Sequence, residues 1–242
     1  MKTGNKVKNV KNHVIFTYEN RDYRYDDIYN LIKDLDYKKV GDDFDYIVKE
    51  VFVNGQRAAC LFLQESDSSE DWVHNFMFWS TYAKAYKGWE NKLKFMKGFF
   101  VEYNSGRDEV IKDLKEFVDS GVTKIFVTGW SNGASTAPIA CEDIYYQFKI
   151  KPTFIGYEGA HPCYNKHTRD YVYSCMADDS ISFVNKMDAV CRCPPFAWRI
   201  KPIIYYFKKK EKFPIFIRKL IDCIKNTAFY HCNVDTSIQN EM

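Results

Sequence analysis

A serine flanked by glycines in the middle of the chain is the group best suited to chemistry. Gly129, Ser131 and Gly133 follow an apolar run at 125–127 and precede a stretch of helical composition. Glycine on both sides of a serine permits a sharp strand-to-helix turn in which the backbone passes strand and helix without a clash. The pattern therefore predicts a nucleophile elbow that presents the Ser131 hydroxyl at the end of a strand.

A serine hydroxyl is a poor nucleophile unless a base and an orienting acid converge on it. Asp188 follows a strand predicted at 180–185, and a strand end can hold a carboxylate rigidly toward a histidine. Asp178 and Asp179 precede that strand, so we expect them at its other end. When acid and base both follow the serine in sequence, only His231 can be the base, because no other histidine follows Asp188. The remaining histidines are interpreted as surface or turn residues: His13, His74, His161 and His167.

Ser66 is a candidate donor to an oxyanion, since it comes just after a predicted strand. With the backbone N–H of Asn132 it would supply two hydrogen bonds, and one such donor contributes about 10² to 10³ in rate. A helix N-cap is the alternative role of Ser66, and both roles can hold together.

The elements around these residues alternate between strands and helices, which predicts an α/β fold. The strongest local signal is a hairpin, with strands at 46–53 and 58–63 joined by Asn54-Gly55. Before it we expect a mobile tail at 1–12, a strand at 13–18 and a helix capped by Asp26. The apolar residues of this helix fall at i, i+3, i+4 and i+7: Ile28, Leu31, Ile32 and Leu35.

Three further elements are predicted around the elbow. A helix opens at Ser105 with a capping arrangement and ends at Gly121. The elbow helix runs to about Phe148, and Pro138 inside it should kink the helix or confine its regular part to later residues. A strand follows at 153–157.

Composition indicates one globular domain over 1–242, since 46% of the 242 residues are apolar and 17% are aromatic. The net charge of +3 is too small to indicate a nucleic-acid partner. No stretch has the apolar length of a membrane span and the N-terminus does not resemble a signal peptide, so we expect a cytoplasmic or intracellular protein. The eight cysteines are then reduced and structural rather than metal ligands.

A basic and aromatic segment lies at about 196–225, between the candidate acid and base. From Arg199 to Lys225 there are nine basic and two acidic residues, a net charge of +7. Such a segment can lie on an anionic lipid surface. A solvated helix face is the alternative interpretation.

Six segments in the same order resemble the class 3 lipases, an α/β-hydrolase family that includes secreted fungal triacylglycerol lipases. The resemblance covers roughly residues 45–235, after an N-terminal hairpin and helix at 13–44. It is carried by these residues: Leu63-Gln64-Glu65-Ser66, Asp71-Trp72, Gly129 to Gly133, Gly156 to Pro162, Asn185-Lys186-Met187-Asp188 with Pro194-Pro195, and His231.

The resemblance implies an α/β-hydrolase fold, with a mixed, mostly parallel sheet flanked by helices and the elbow at Gly129–Gly133. It implies hydrolysis of lipid or small carboxylic esters through a triad of Ser131, Asp188 and His231, without a metal or an organic cofactor. In the fungal relatives a short helix after the oxyanion residue is a lid. Its counterpart here would carry Trp72, Phe76 and Trp79, for which core packing is the alternative.

Two departures from the family pattern favour other hypotheses. Gln64-Glu65 replaces the usual Arg-Gly, and a carboxylate beside an oxyanion would oppose it unless it points away. Trp130 replaces the usual histidine before the nucleophile. These changes would fit a catalytically inactive, lipase-like binding protein, and the basic segment would fit a membrane-surface protein.

Overall fold

A computed structural model describes residues 13–40, 44–64, 80–82, 93–185, 188, 190–200 and 204–207. Its helices are α1 (Tyr25–Asp34), α2 (Lys97–Asp119), α3 (Asn132–Phe148) and α4 (Lys166–Ser174). Its strands are β1 (Phe16–Tyr18), β2 (Arg21–Tyr23), β3 (Lys38–Val40), β4 (Phe44–Val53), β5 (Gln56–Leu63), β6 (Ser80–Tyr82), β7 (Lys94–Met96), β8 (Ile125–Trp130), β9 (Thr153–Tyr157), β10 (Ile181–Asn185) and β11 (Ile204–Phe207).

A mixed, nine-stranded sheet forms the centre of the described fold. Its order is β11-β10-β9-β8-β5-β4-β1-β2, with β3 on β4. The strands from β5 to β11 in this sheet pair in parallel, and those on the β4 side pair antiparallel. Helices cover both faces, so the predicted α/β-hydrolase architecture is confirmed.

The predicted hairpin is confirmed as β4 and β5, which pair in register from Tyr46 opposite Leu63 to Val53 opposite Gln56. Asn54 and Gly55 both have positive φ, at 50° and 78°. Two successive positive φ angles match the right-handed twist of the strands, which is why Asn-Gly suits this turn.

The apolar side chains form two layers, one on each face of the sheet. Alternation along β5 sends Ala59, Leu61 and Leu63 toward α2 and α3, and sends Ala58, Cys60 and Phe62 toward α1. Within the described residues, five cysteines are buried as free thiols: Cys60, Cys141, Cys163, Cys175 and Cys191. In the part of the chain that the structure describes, no helix has the length and apolar character needed to cross a bilayer.

Two predicted helix starts are wrong. The cap of α1 is Arg24 rather than Asp26, and the backbone N–H of Arg24 is held by the Asp27 carboxylate at 3.2 Å. Helix α2 begins at Lys97 rather than Ser105, whose hydroxyl donates to Glu102 O within the helix.

Gly106 lies inside α2, one residue after Ser105. A Cβ on it would lie 2.3 Å from Cδ1 of Phe44. The glycine therefore permits close packing of the helix on β4 instead of ending the helix.

The prediction that Pro138 confines the regular part of α3 to later residues is also wrong. The helix begins at Asn132, six residues before the proline, and continues to Phe148. Proline removes a single backbone donor from the helix, and tertiary packing supports the rest, because α3 is buried from Asn132 to Ile144.

The interpretation of the basic and aromatic segment as a solvated helix face is wrong where the structure describes it. Arg199 and Ile200 are buried, at 8% and 1% exposure. Residues 204–207 form β11, which pairs in parallel with β10. The segment therefore extends the sheet at this point, and its remaining charges lie outside the described residues.

Candidate active site

Ser131 lies at the turn between β8 and α3 with a left-handed backbone, φ 53° and ψ −112°. A Cβ on Gly129 would lie 2.5 Å from the carbonyl carbon of Gly133. A Cβ on Gly133 would lie 2.3 Å from the carbonyl oxygen of Leu63. The two glycines thus allow strand β8, helix α3 and the end of β5 to converge on one serine, as an elbow requires.

Hydrogen bonds from two other segments hold the elbow. The Ser131 N–H donates to Tyr157 O at 2.9 Å. The Ser135 hydroxyl donates to Ser131 O at 2.9 Å and accepts from the N–H of Ala160 at 2.7 Å. Ser135 therefore ties the turn to the loop after β9. The sequence offered no signal for this role, because its partner Ala160 is 25 residues away.

Asp188 follows β10, two strands from the one that carries Ser131. Because β8, β9 and β10 are parallel neighbours, their carboxyl ends meet at one edge of the sheet. Asp188 is fully buried, and its carboxylate accepts from Val190 N at 2.8 Å and from the Cys191 thiol at 3.2 Å. These donors fix the carboxylate in a site from which water is excluded.

Asp179 lies at the opposite end of the sheet, as expected. Its carboxylate accepts from the hydroxyl of Thr153, the first residue of β9, at 2.8 Å.

Asn132 is the first residue of α3, so its backbone N–H is one of the donors that the helix leaves without an internal partner. Its side-chain amide donates to the Glu102 carboxylate on α2 at 2.6 Å. Gly133 packs against the carbonyls of Leu63 and Gln64. The end of β5, which leads to Ser66, therefore lies beside the first turn of α3.

Trp130 packs on the α1 side of the sheet and is 5% exposed. Its ring meets that of Tyr29 edge to face, with centroids 5.7 Å apart. Ala137 of the elbow helix belongs to the core layer on the other face. The large Trp130 side chain, which stands where class 3 lipases usually have a histidine, is thus accommodated beneath α1.

Glu158 is a buried carboxyl that the sequence interpretation gave no role. It follows β9 directly, is 0% exposed and has a φ of 54°. Burial raises its pKa to about 9, and the charge of Asp188 adds to this shift, while the Trp130 N–H and Lys33 act in the opposite sense. The available signal was its place in the segment from Gly156 to Pro162, where it stands between a strand and a glycine.

His161 is held on both ring nitrogens. Nδ1 lies 3.0 Å from Pro194 O and Nε2 lies 3.2 Å from an Arg199 nitrogen. Burial lowers its pKa to about 4, and the charge of Arg199 adds to this effect. A neutral ring that donates from Nδ1 and accepts at Nε2 has no nitrogen available for a serine, which agrees with its exclusion as the base.

The other predicted site residues lie outside the described residues: Ser66, His231, and the lid candidates Trp72, Phe76 and Trp79. Glu65 lies outside as well. Their roles stay predictions. His13 and His167 are exposed. Among the described residues no cluster of three or more His, Cys, Asp or Glu side chains could hold a metal ion.

A serine on a glycine-flanked strand-to-helix turn, with a buried acid at the same edge of a mostly parallel sheet, defines the α/β hydrolases. The family model for lipase (class 3) matches residues 60–198. The chain therefore belongs to the class 3 lipase family. Comparison with curated protein sequences gave no significant match.

Solved structures of fungal lipases share the fold. One fungal lipase has a TM-score of 0.58 and 19% identity, over 76% of this chain and 66% of its own. A deletion mutant of the Rhizomucor miehei lipase propeptide complex has a TM-score of 0.57 and 19% identity, over 74% of this chain and 57% of its own. A lipase from Rhizopus microsporus var. chinensis has a TM-score of 0.56 and 18% identity, over 75% and 64%. The chain thus spans less than two thirds of the length of each.

Proposed function

We propose that this protein is a serine hydrolase of carboxylic esters, with lipase or phospholipase activity toward acylglycerols or phospholipids. The observation that carries the proposal is the left-handed backbone of Ser131, at φ 53°. Such a conformation costs about 1 to 3 kcal/mol in a residue other than glycine and persists where the surroundings enforce it. At Ser131 this conformation falls at the end of a buried strand and the start of a helix, between two glycines, which is where a nucleophile elbow requires it.

In the proposed mechanism His231 takes the proton from the Ser131 hydroxyl as its oxygen attacks the acyl carbonyl carbon. Asp188 orients the imidazole and stabilises its positive charge. The Asn132 N–H and the Ser66 hydroxyl donate to the oxyanion. His231 then returns the proton to the leaving alcohol, and water, activated in the same way, releases the carboxylic acid from Ser131.

The burial of Asp188 supports its role as the acid. At 0% exposure, with two donors on its carboxylate, it is fixed at the edge where the elbow lies. A carboxylate in low dielectric stabilises a nearby imidazolium more strongly than one in water does.

The proposal also includes a lid and a lipid-binding surface. Trp72, Phe76 and Trp79 would cover the site, and the basic segment at about 196–225 would contact anionic lipid.

Fluorophosphonate labelling tests the serine. We expect the folded protein to label and Ser131→Ala to lose the label, while Ser120→Ala, an exposed serine at the end of α2, labels as the wild type does. Failure of the wild type to label, or equal labelling of Ser131→Ala, would contradict the proposal and favour the inactive, lipase-like alternative.

The same samples, assayed on esters of increasing acyl length, test the substrate class. We expect the rate of hydrolysis of long-chain esters to rise when the substrate forms a lipid–water interface. The rate should rise further when the substrate is presented in vesicles of anionic lipid. Activity confined to short soluble esters would overturn the lipase assignment and leave an esterase.

A further inference from the structure

Asn132 carries two polar groups at the start of the elbow helix: the backbone N–H proposed to bind the oxyanion, and a side-chain amide. The residue is 8% exposed, and its Nδ2 donates to Oε1 of Glu102 on α2 at 2.6 Å. Its Oδ1 has no hydrogen-bond partner among the described residues. In this part of the chain, Glu102 is therefore the group that orients the amide.

The chemistry of the acceptor fixes which way the amide points. A carboxylate only accepts hydrogen bonds, so Asn132 presents its nitrogen to Glu102 and turns its oxygen away. A hydrogen bond to a carboxylate is about twice as strong as one between neutral groups. The amide is thus held in one orientation by a strong bond.

Glu102 is held against the elbow helix by the residue that follows it on α2. This residue, Tyr103, is fully buried, and its hydroxyl donates to Asp143 of α3 at 2.9 Å. Asn132 and Asp143 are eleven residues apart, or about three helical turns, so both lie on one face of α3. Helix α2 is therefore bonded to α3 at two levels, and the upper bond is the one at the elbow.

An asparagine side chain that is not held at this position would compete with the oxyanion. Asparagine carbonyl oxygens readily accept from their own or neighbouring backbone N–H groups. The first N–H groups of a helix lack internal partners, and that of Asn132 is one of them. Without the bond to Glu102, rotation of the side chain would bring Oδ1 to the donors that the oxyanion needs.

We propose that Glu102 is a positioning residue for the oxyanion site: by accepting from Nδ2 of Asn132, it keeps Oδ1 away from the backbone donors at the start of α3. The Asn132 N–H then stays available to the oxyanion. This inference rests on the proposed function, since it assigns a support to one of the two proposed oxyanion donors. Glu102 acts through Asn132 and not on the substrate.

Steady-state kinetics of two Glu102 variants test the hydrogen bond. We expect Glu102→Ala to lower kcat by at least about tenfold with little change in KM, because an oxyanion donor, worth about 10² to 10³ in rate, acts in the transition state. Glu102→Gln keeps an acceptor for Nδ2 and should stay within about threefold of the wild type. Glu109→Ala, at an exposed glutamate of the same helix, is the matched control and should not change kcat. A Glu102→Ala enzyme with the wild-type kcat would overturn the proposal.

Removal of the competing oxygen separates this role from a merely structural one. Asn132→Ala keeps the backbone N–H and lacks Oδ1, so in its presence Glu102→Ala should cause no further loss. We expect the double variant to have the kcat of Asn132→Ala, and a higher kcat than Glu102→Ala alone. If the two losses multiply instead, Glu102 acts through the stability of the helix pair and the proposal is wrong.

NMR of the side-chain amides gives a readout that does not depend on activity. The Asn132 amide protons are identified by their loss in Asn132→Ala, and a hydrogen bond to a carboxylate moves the bonded proton downfield. We expect Glu102→Ala to return this proton upfield and Glu109→Ala to leave it in place. An unchanged shift in Glu102→Ala would overturn the proposal, whether or not the protein hydrolyses esters. A wild type that has the downfield proton yet is not labelled by fluorophosphonate would contradict the proposed function instead.

Discussion

The left-handed conformation of Ser131 is supported by hydrogen bonds from its neighbours. Strain of this type costs about 1 to 3 kcal/mol. The residue donates from its N–H to Tyr157 O, and its carbonyl accepts from both the N–H and the hydroxyl of Ser135. Since each bond contributes about 1 kcal/mol net, three of them are of the size needed to hold the turn.

Gly133→Ala tests whether close packing maintains the elbow. Its Cβ would lie 2.3 Å from Leu63 O, a backbone atom that cannot move without shifting β5. We expect the variant to lose fluorophosphonate labelling and at least about 2 kcal/mol of stability, as overpacked positions do. Labelling kinetics and urea unfolding measure the two losses.

Gly121→Ala is the matched control for this steric effect. Gly121 has a positive φ of 93°, but nothing lies within 4 Å of a Cβ placed on it. It should lose stability through backbone strain alone and still label at the wild-type rate. Normal labelling of Gly133→Ala would show that the elbow tolerates a side chain there.

Local patterns predicted the elements whose structure is set by neighbouring residues. The Asn54-Gly55 hairpin and the strand and helix that flank Ser131 follow from short-range chemistry and are confirmed. The first turns of α2 were missed because Ser105-x-x-Asp108 has the residue types of a capping arrangement, although it lies inside the helix. Ser135 and Glu158 were missed because their partners are distant in sequence.

Helices α2 and α3 are joined by a buried ion pair that also holds the elbow helix in place. Arg107 donates from Nε and Nη2 to the two carboxylate oxygens of Asp143, at 2.7 Å and 3.0 Å, and the Tyr103 hydroxyl donates at 2.9 Å. The Asp143 side chain is fully buried and that of Arg107 is 15% exposed. Satisfied networks of this type fix one arrangement of two elements.

Asp143→Ala should therefore destabilise the fold by about 3 kcal/mol, because it removes the buried carboxylate and leaves Arg107 with the exposed Asp108 carboxylate, which accepts from Nη1 at 3.0 Å. Asp119→Ala is the control: it removes the carboxylate of an exposed i,i+4 pair with Lys115 and should cost less than about 0.5 kcal/mol. Urea unfolding of both variants measures the difference. Equal losses would contradict a structural role for the buried pair.

Across the whole molecule, several ionisable side chains are buried in their neutral forms. Burial raises the pKa of both Glu142 and Glu158 to about 9, and lowers the pKa of His161 to about 4. The folded state thus holds protons on the two carboxyls that the unfolded chain releases, and lacks a proton on His161 that the unfolded chain takes up below about pH 6.5. His161 therefore lowers stability as the pH falls from about 6.5 to about 4, and the two carboxyls lower it as the pH rises from about 4.5 to about 9.

Glu142→Gln tests the alkaline side of this balance. Glu142 is fully buried on α3, its carboxyl oxygens have no hydrogen-bond partner among the described residues, and the neighbouring charge of Asp143 adds to the effect of burial. Because its pKa is raised from 4.5 to about 9, its contribution is complete below about pH 4.5 and is lost as the pH rises toward 9. Glutamine removes this loss, since it stays neutral in both states.

We expect Glu142→Gln and the wild type to have similar free energies of unfolding near pH 4. Above pH 4.5 the advantage of the variant should grow by about 1.4 kcal/mol per pH unit and reach on the order of 5 kcal/mol by pH 8. Glu116→Gln, on an exposed position of α2, controls for the change of residue type and should show no such trend. Urea unfolding at pH 4, 6 and 8 measures the three curves. If the difference in free energy of unfolding between Glu142→Gln and the wild type were the same at all three pH values, Glu142 would be ionised in the folded protein. Neighbouring positive charges, rather than protonation, would then compensate for its burial.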